Sequence, residues 1–248
     1  MTHKRFGYEW GKYSELDSNY EIQFRKWISP LKPEDFKNKK VLDVGCGMGR
    51  NSYWFLKHGA DVVAFDYDKR TVGAAKKLLD DRVKFISVYD ISYKDEFDLA
   101  FSIGVIHHLP DPELAIRKMT ESVKIGGQVL IWVYGYENNE WIEKIVSPVR
   151  KLFTSKLPPK LLDFLTYFVS VPFYLLIKTL PFKHVYLKQL KIFGFKHVHS
   201  IIFDQLLPEI AHYYTKDQAR GLLEQAGLKD IQINSCNNNS WTVVGVKK

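Results

Sequence analysis

From residue 41 onward, short apolar runs alternate with stretches of helical periodicity. Residues 41–44, 61–65, 83–88, 98–104 and 128–134 read as strands, rich in β-branched and aromatic side chains and bounded by turn formers. Between them, apolar positions spaced by three and four predict helices over 50–58 and 69–79, and a third from Asp111-Pro112 to Ile125. An acid at the N-cap with proline behind it opens that third helix, and Gly126-Gly127 closes it. Strands apolar on both faces and separated by helices imply a parallel sheet covered on both sides. Thr215 and Gln218 form a capping-box pattern ahead of a helix to Leu228. Runs 229–235 and 241–246, joined through Asn237-Asn238-Asn239, predict a β-hairpin, because asparagine tolerates left-handed turns. The expected fold is α/β: a doubly wound, seven-stranded, mostly parallel sheet with a C-terminal antiparallel hairpin. The alternation fails between the fifth strand and Thr215, so a helical insertion is expected there. Three regions follow: an aromatic lead-in or lid over 1–40 with a short helix at 20–28, a ligand-binding domain over 41–135 and 215–248, and a helical cap over 136–214 on the substrate side.

The first strand runs into Val41-Leu42-Asp43-Val44-Gly45-Cys46-Gly47-Met48-Gly49. Three alternate glycines, Gly45, Gly47 and Gly49, let a nucleotide-like ligand approach bare backbone at the strand's carboxyl end. A dinucleotide fingerprint places its third glycine one position later, where this chain has Arg50. Asp43, Asp66 and Asp90 stand at the ends of three consecutive strands. A carboxylate after the second strand suits a ribose diol, since it accepts from two neighbouring hydroxyls. One after the third suits an amino group such as adenine's.

With VLDVGCGMG, the acids in VVAFDYD and FISVYD, FDLAFSIGVIHHLPDP and KIGGQVLIWVYG, the chain resembles the class I S-adenosylmethionine-dependent methyltransferases, in their small-molecule group. The resemblance covers residues 38–135 and 215–248. It implies S-adenosyl-L-methionine as cofactor, with Gly45, Gly47 and Gly49 beside the methionine part and Asp43 near its amino group. It further implies Asp66 on the ribose, Tyr67 against adenine, Asp90 with Ile91 at the adenine edge, and Ile103 with Gly104 on the methyl-transfer side. A base is needed only where the acceptor loses a proton as it attacks. His107 and His108 after the fourth strand, and His212 or Tyr213 farther on, are the candidates, each equally able to serve as packing. Tyr134, just past the fifth strand, is expected on the substrate side, as are Asp204 and Tyr214 in a later stretch that also holds His199 and Glu209. No Asn/Asp-Pro-Pro-Tyr run follows the fourth strand and no Pro-Cys nucleophile occurs, which removes two kinds of nucleic-acid methylation.

Composition narrows the setting. With 248 residues, 46% of them hydrophobic and 26% charged, the chain has room for one domain and a sizeable insertion. Only Cys46 and Cys236 are present, with no CxxC, so no metal site is expected. The first residues lack the apolar core of a signal peptide, and a cytoplasmic location is expected. The formal charge is +8, and all of the excess is local: between residues 144 and 203 stand ten basic side chains and one acid, Asp163. Within that segment, residues 164–177 carry no charge and contain Pro172. Fourteen residues fall short of the ~20 that a bilayer span needs. They fit a buried helix pair, a lid over an apolar or lipid-linked acceptor, or peripheral membrane contact through 161–183. The expected function is methyl transfer to an oxygen or nitrogen of a small-molecule, lipid-linked or sugar-linked acceptor by in-line displacement. The alternatives are an RNA-modifying enzyme using the basic insertion and a non-catalytic cofactor-binding scaffold. Nucleic acid is the weaker partner, because the lysines are scattered among apolar runs rather than grouped with arginine and glycine.

Overall fold

The computed structural model describes residues 2–248 apart from 14, 15, 17, 18, 183 and 184, with backbone alone at 2, 3 and 185. In chain order, α1 (Thr2–Lys12) and α2 (Asn19–Ile28) lead to β1 (Lys40–Val44), α3 (Arg50–Lys57), β2 (Asp61–Asp66), α4 (Lys69–Leu79), β3 (Val83–Phe85) and β4 (Phe97–Ile103). Then come α5 (Pro112–Ser122), β5 (Val123–Tyr134), α6 (Ser147–Leu152), α7 (Pro159–Thr179), α8 (Val185–Lys191), α9 (Phe195–Leu206), α10 (Lys216–Gln225), β6 (Lys229–Cys236) and β7 (Ser240–Val246). The seven strands lie in the order β3-β2-β1-β4-β5-β7-β6, with β7 antiparallel to both of its neighbours and the other pairings parallel. This is the expected seven-stranded, mostly parallel sheet ending in an antiparallel hairpin. The chain reverses direction across the sheet between β1 and β4, and in such sheets the crevice at the carboxyl ends there receives ligands.

Alternate side chains of each central strand enter opposite layers. Leu42, Ala100, Val129 and Ile131 pack with Ala115, Ile116 and Met119 of α5 and Leu222 and Leu223 of α10. Val41, Leu99, Phe101 and Leu130 pack on the other face with Phe24 and Ile28 of α2 and Trp54 and Phe55 of α3. Burial on both faces is why these strands read as continuous apolar runs. Predicted caps are in place: the Asp111 side chain accepts from the Leu114 N–H, and Thr215 and Gln218 complete their reciprocal box. Asp68 caps α4 by accepting from the Arg70 and Thr71 N–H groups.

Three expectations are corrected. The helix opened by Asp111 ends at Ser122 rather than Ile125, and β5 runs through the glycine pair. Val123 pairs with Phe97, Gly126 N–H donates to Lys247 O, and Lys247 N–H donates to Gly127 O, so ladder pairing takes residues that helical periodicity had claimed. The third strand stops at Phe85 instead of residue 88, because Ser87 accepts from the Tyr89 N–H and starts a 3₁₀ turn over Val88–Asp90. In the insertion, the uncharged run belongs to one 21-residue helix that continues through Pro172, not to a buried pair. By length and composition α7 is apolar enough to cross a membrane, yet its inner face is packed on the protein. Residues 1–13, read only as aromatic lead-in, include helix α1.

Candidate active site

At the end of β1 the chain takes left-handed backbone at Gly45 (φ 79°) and Gly47 (φ 56°). Gly45 and Cys46 N–H groups both donate to Phe65 O at 3.0 Å, which holds the turn against β2. A Cβ at Gly45 would run into Val105, and one at Gly47 would press on the Trp10 indole. Only bare backbone fits there. Asp66, ending β2, accepts from Gly47 N–H and Asp68 N–H, both at 3.1 Å. Burial pushes its carboxyl up to about 6, against the pull of those N–H donors. Beside it the Tyr67 and Phe85 rings stack 5.5 Å apart on the rim.

This corner opens into a cavity of about 1140 Å³, large for a single small ligand. One arm of the wall is Gly45–Gly47, Asp66, Tyr67, Asp90, Ile103 and Gly104. The same cavity is also lined by His108 and by an aromatic chamber of Trp10, Trp27, Trp132, Tyr134, Phe173 and Tyr186. The aromatic walls come from α1, α2, β5, α7 and α8, so four of these five elements lie outside the sheet.

Charge inside the chamber is sparse and placed. Asp204, on α9, accepts from the Tyr134 hydroxyl at 3.0 Å through Oδ2, and no hydrogen bond occupies Oδ1 among the described residues. The Tyr134 hydroxyl in turn accepts from Gln205 Nε2 at 3.0 Å, and Tyr213 OH donates to Gln205 Oε1 at 3.1 Å. Burial pushes the Asp204 carboxyl up to about 6, with the Tyr134 hydrogen bond, Arg50 and Arg150 pulling the other way. Glu9 is buried nearby and its carboxyl is raised well above the usual range by burial and by Asp204. The Arg50 guanidinium lies 4.8–5.5 Å from the Tyr20, Trp27 and Trp10 rings, a cation held on aromatic faces. Gln23 Oε1 and His197 Nε2 are buried in the chamber wall with no hydrogen-bond partner among the described residues.

Residues 16–233 match the family model described as "Methyltransferase domain". The chain belongs to the methyltransferase domain family. Among curated proteins it is 30% identical over 142 residues to a ubiquinone biosynthesis O-methyltransferase of Dechloromonas aromatica (strain RCB), covering 48% of this chain and 61% of that one. It is 32% identical over 129 residues to the protein of the same description in Aliivibrio fischeri (strain MJ11), covering 49% and 54%. The chain thus spans less than two thirds of these relatives. The fold matches human N-acetylserotonin methyltransferase in complex with SAM (TM-score 0.54, 15% identity, 92% of this chain and 52% of that one). It also matches magnesium protoporphyrin IX methyltransferase of Synechocystis PCC 6803 with bound SAM (TM-score 0.55, 11% identity, 98% and 91%).

Within this family member the residues singled out by sequence divide into two sets. Gly45, Gly47, Asp66, Tyr67, Asp90, Ile103, His108, Tyr134, Asp204 and Tyr213 line the one cavity. Asp43, Gly49, Ile91, His107, Tyr214 and His212 do not. Asp43 is buried under the glycine turn, takes a 2.6 Å hydrogen bond from Ser52 Oγ, and burial raises its carboxyl to about 7. Gly49 starts α3 with left-handed backbone, packed against Leu79. Ile91 sits in the core beside α5. His107 is wedged between His108 and a stacked Tyr134, and burial pushes its pKa well down. Tyr214 is held by backbone bonds to Tyr134 and Tyr136, and His212 is exposed. His108 donates from Nδ1 to Ile210 O at 2.7 Å, since a carbonyl only accepts, and burial lowers its pKa to about 3. His199 is tied to Ser170 Oγ (2.6 Å) and Asp163 (3.3 Å), a serine–histidine–aspartate set that does not line this cavity. Arg50, Gln23 and Trp10 were missed: their only sequence signal is arginine directly after the glycines and aromatics in the lead-in.

Proposed function

We propose that this protein transfers a methyl group from S-adenosyl-L-methionine to an oxygen or nitrogen of an apolar, ring-bearing small molecule, including lipid-linked ones, in the cytoplasm. The observation that carries this reading is the single cavity joining the glycine–Asp66 corner to the aromatic chamber that holds Asp204. The corner fits the cofactor: its glycines leave a cradle that side chains would fill, Asp66 ends β2, and Asp90 lines the same cavity from the 3₁₀ turn that follows β3. Gly45 and Gly47 would border the methionine part, Asp66 would accept from the ribose hydroxyls, and Tyr67 with Asp90 would flank the adenine. Bound there, the cofactor supplies a methyl group already activated on a sulfonium.

The chain's own work is placement and proton removal. Aromatic walls exclude water and hold a flat acceptor edge toward Ile103 and Gly104; such positioning contributes roughly 7–11 kcal/mol in favourable cases. For a hydroxyl acceptor, Oδ1 of Asp204 is the site for the departing proton. Its pKa near 6 leaves it ionised at neutral pH and still basic enough to accept. The neighbouring Tyr134 hydroxyl fixes the carboxylate's orientation. Asp204 is preferred to His108, whose pKa near 3 and Nδ1 bond mark it as a neutral wall residue.

The test is methyl-labelled cofactor with a panel of water-soluble phenols and aromatic amines. Label should enter one of these classes, with kcat rising through an apparent pKa near 6 for a phenol. Asp204→Asn should lower kcat by about a hundred- to ten-thousandfold, remove that pH limb, and leave cofactor affinity unchanged. Label in no acceptor, or an Asp204→Asn enzyme with wild-type kcat, would overturn the assignment.

A further inference from the structure

Helix α7 has two faces of opposite character. Leu162, Asp163, Thr166, Ser170 and Ile177 are buried against the protein. On the outer side Leu161, Phe164, Leu165, Phe168, Val171 and Leu175 are exposed, Phe168 to 70% and Phe164 to 60%. The preceding helical segment repeats the arrangement: Trp141, Ile145, Val149 and Leu152 recur every three or four residues and are all exposed. An outer surface this apolar on a folded protein marks something that covers it. In the same insertion the lysines at 144, 151, 156, 160, 188 and 191 are exposed. The same two helical segments form part of the chamber wall, through Trp141, Ile142 and Val146 from one and Val169 and Phe173 from the other.

We propose that the outer faces of α7 and of the 141–153 segment dock on an anionic phospholipid surface. Phenylalanine and leucine side chains enter the acyl boundary while the exposed lysines engage lipid phosphates. The inference rests on the proposed reading of the chamber as the acceptor site, and it deepens that reading. The acceptor pocket then lies one helix layer from the lipid, where an apolar acceptor is concentrated.

Charge selects this occupant. Apolar burial and cation–phosphate attraction act together on an anionic interface, each juxtaposed lysine strengthening binding about fivefold. A second copy meeting face to face would oppose one set of exposed lysines with another, because segment 141–203 carries Lys144, Lys151, Lys156, Lys160, Lys188 and Lys191 on its surface and only two acids, Glu143 and Asp163. Of these, Asp163 is already engaged by Lys12, Tyr13 and His199. Nucleic acid would satisfy the lysines and leave the apolar stripes uncovered. A bilayer span is excluded by the packed inner face, since α7, at about 31 Å, is long enough but is lipid-accessible on one side only.

Flotation of the full chain with phosphatidylcholine vesicles, with and without phosphatidylglycerol, tests the surface. Binding should be about tenfold or more tighter with the anionic lipid and should fall as salt rises. Phe164→Ser/Phe168→Ser should weaken it about tenfold or more, since two apolar rings no longer enter the acyl boundary. Lys151→Gln/Lys156→Gln/Lys160→Gln should remove the anionic preference alone. None of these residues lines the cavity, so calorimetric cofactor binding and methylation of a water-soluble acceptor without vesicles should be unchanged. No flotation with anionic vesicles at low salt would overturn the proposal. So would unchanged flotation of the phenylalanine variant, retention on RNA in place of vesicles, or a dimer that the phenylalanine variant dissociates. Vesicle binding without any methyl transfer would instead overturn the proposed activity and leave the docking surface standing.

Discussion

Asp66 concentrates the residue-level argument. Its two oxygens are held by the Gly47 and Asp68 N–H groups, so the carboxylate is oriented before any ligand arrives. A diol needs the ionised form as a double acceptor. Because burial raises this group to about 6, cofactor affinity should rise with pH up to about 6 and then level off. Titration calorimetry at pH 5 should show about tenfold weaker binding than at pH 7.5, the factor expected one unit below a pKa. Asp66→Asn should weaken binding at neutral pH by roughly 1.5–3 kcal/mol, the worth of a hydrogen bond to a charged group, and flatten the pH dependence. The placement of Asp66 was legible because a strand-end residue is fixed by local pattern. Asp204 was legible only as a substrate-side acid. Its partner Tyr134 is 70 residues away, and no spacing rule joins them.

Helix α1 shows what an element adds. It lies on α4, with Gly7 so close to Asp68 that a Cβ would meet the carboxylate, and with Arg70 bonded to Lys4 O. From there it crosses to the insertion: Arg5 donates to Leu157 O at 2.9 Å and Leu207 O at 2.6 Å, and Lys12 and Tyr13 engage Asp163. Trp10 thereby covers the glycine turn. Gly7→Leu should lift α1 from α4 and speed cofactor dissociation in a stopped-flow displacement experiment. Thr215→Ala should lower stability by about 0.5–2 kcal/mol through the lost α10 cap while leaving that rate near wild type. Equal release rates in both variants would show that α1 does not retain the cofactor. The sequence hid this element because its periodicity is masked by glycines and polar residues; tertiary contacts hold it.

Across the whole molecule, buried ionisable groups pull stability in opposite directions with pH. Asp43, raised to about 7, and Asp66 and Asp204, raised to about 6, contribute stability present below their unfolded values near 4 and lost as pH rises through 6–7. His108 and His197, lowered to about 3, contribute stability present above about 6.5 and lost as pH falls toward 3. Asp43→Asn removes one of the first group. Its melting temperature relative to wild type should be higher at pH 8 than at pH 5, by a few degrees, in differential scanning calorimetry. By itself the sequence determined the sheet, its caps, the glycine turn and the acid that ends β2. Strand alternation, capping and left-handed glycine are local consequences of backbone sterics and hydrogen bonding, so they survive without knowledge of partners. Only the tertiary structure decided that Trp10, Trp27, Tyr134, Asp204 and Phe173 share one chamber, that His107 and His212 stay outside it, and that α7 turns an apolar face outward. Those facts depend on which surfaces, far apart in the chain, exclude water from one another, and no local pattern records that pairing.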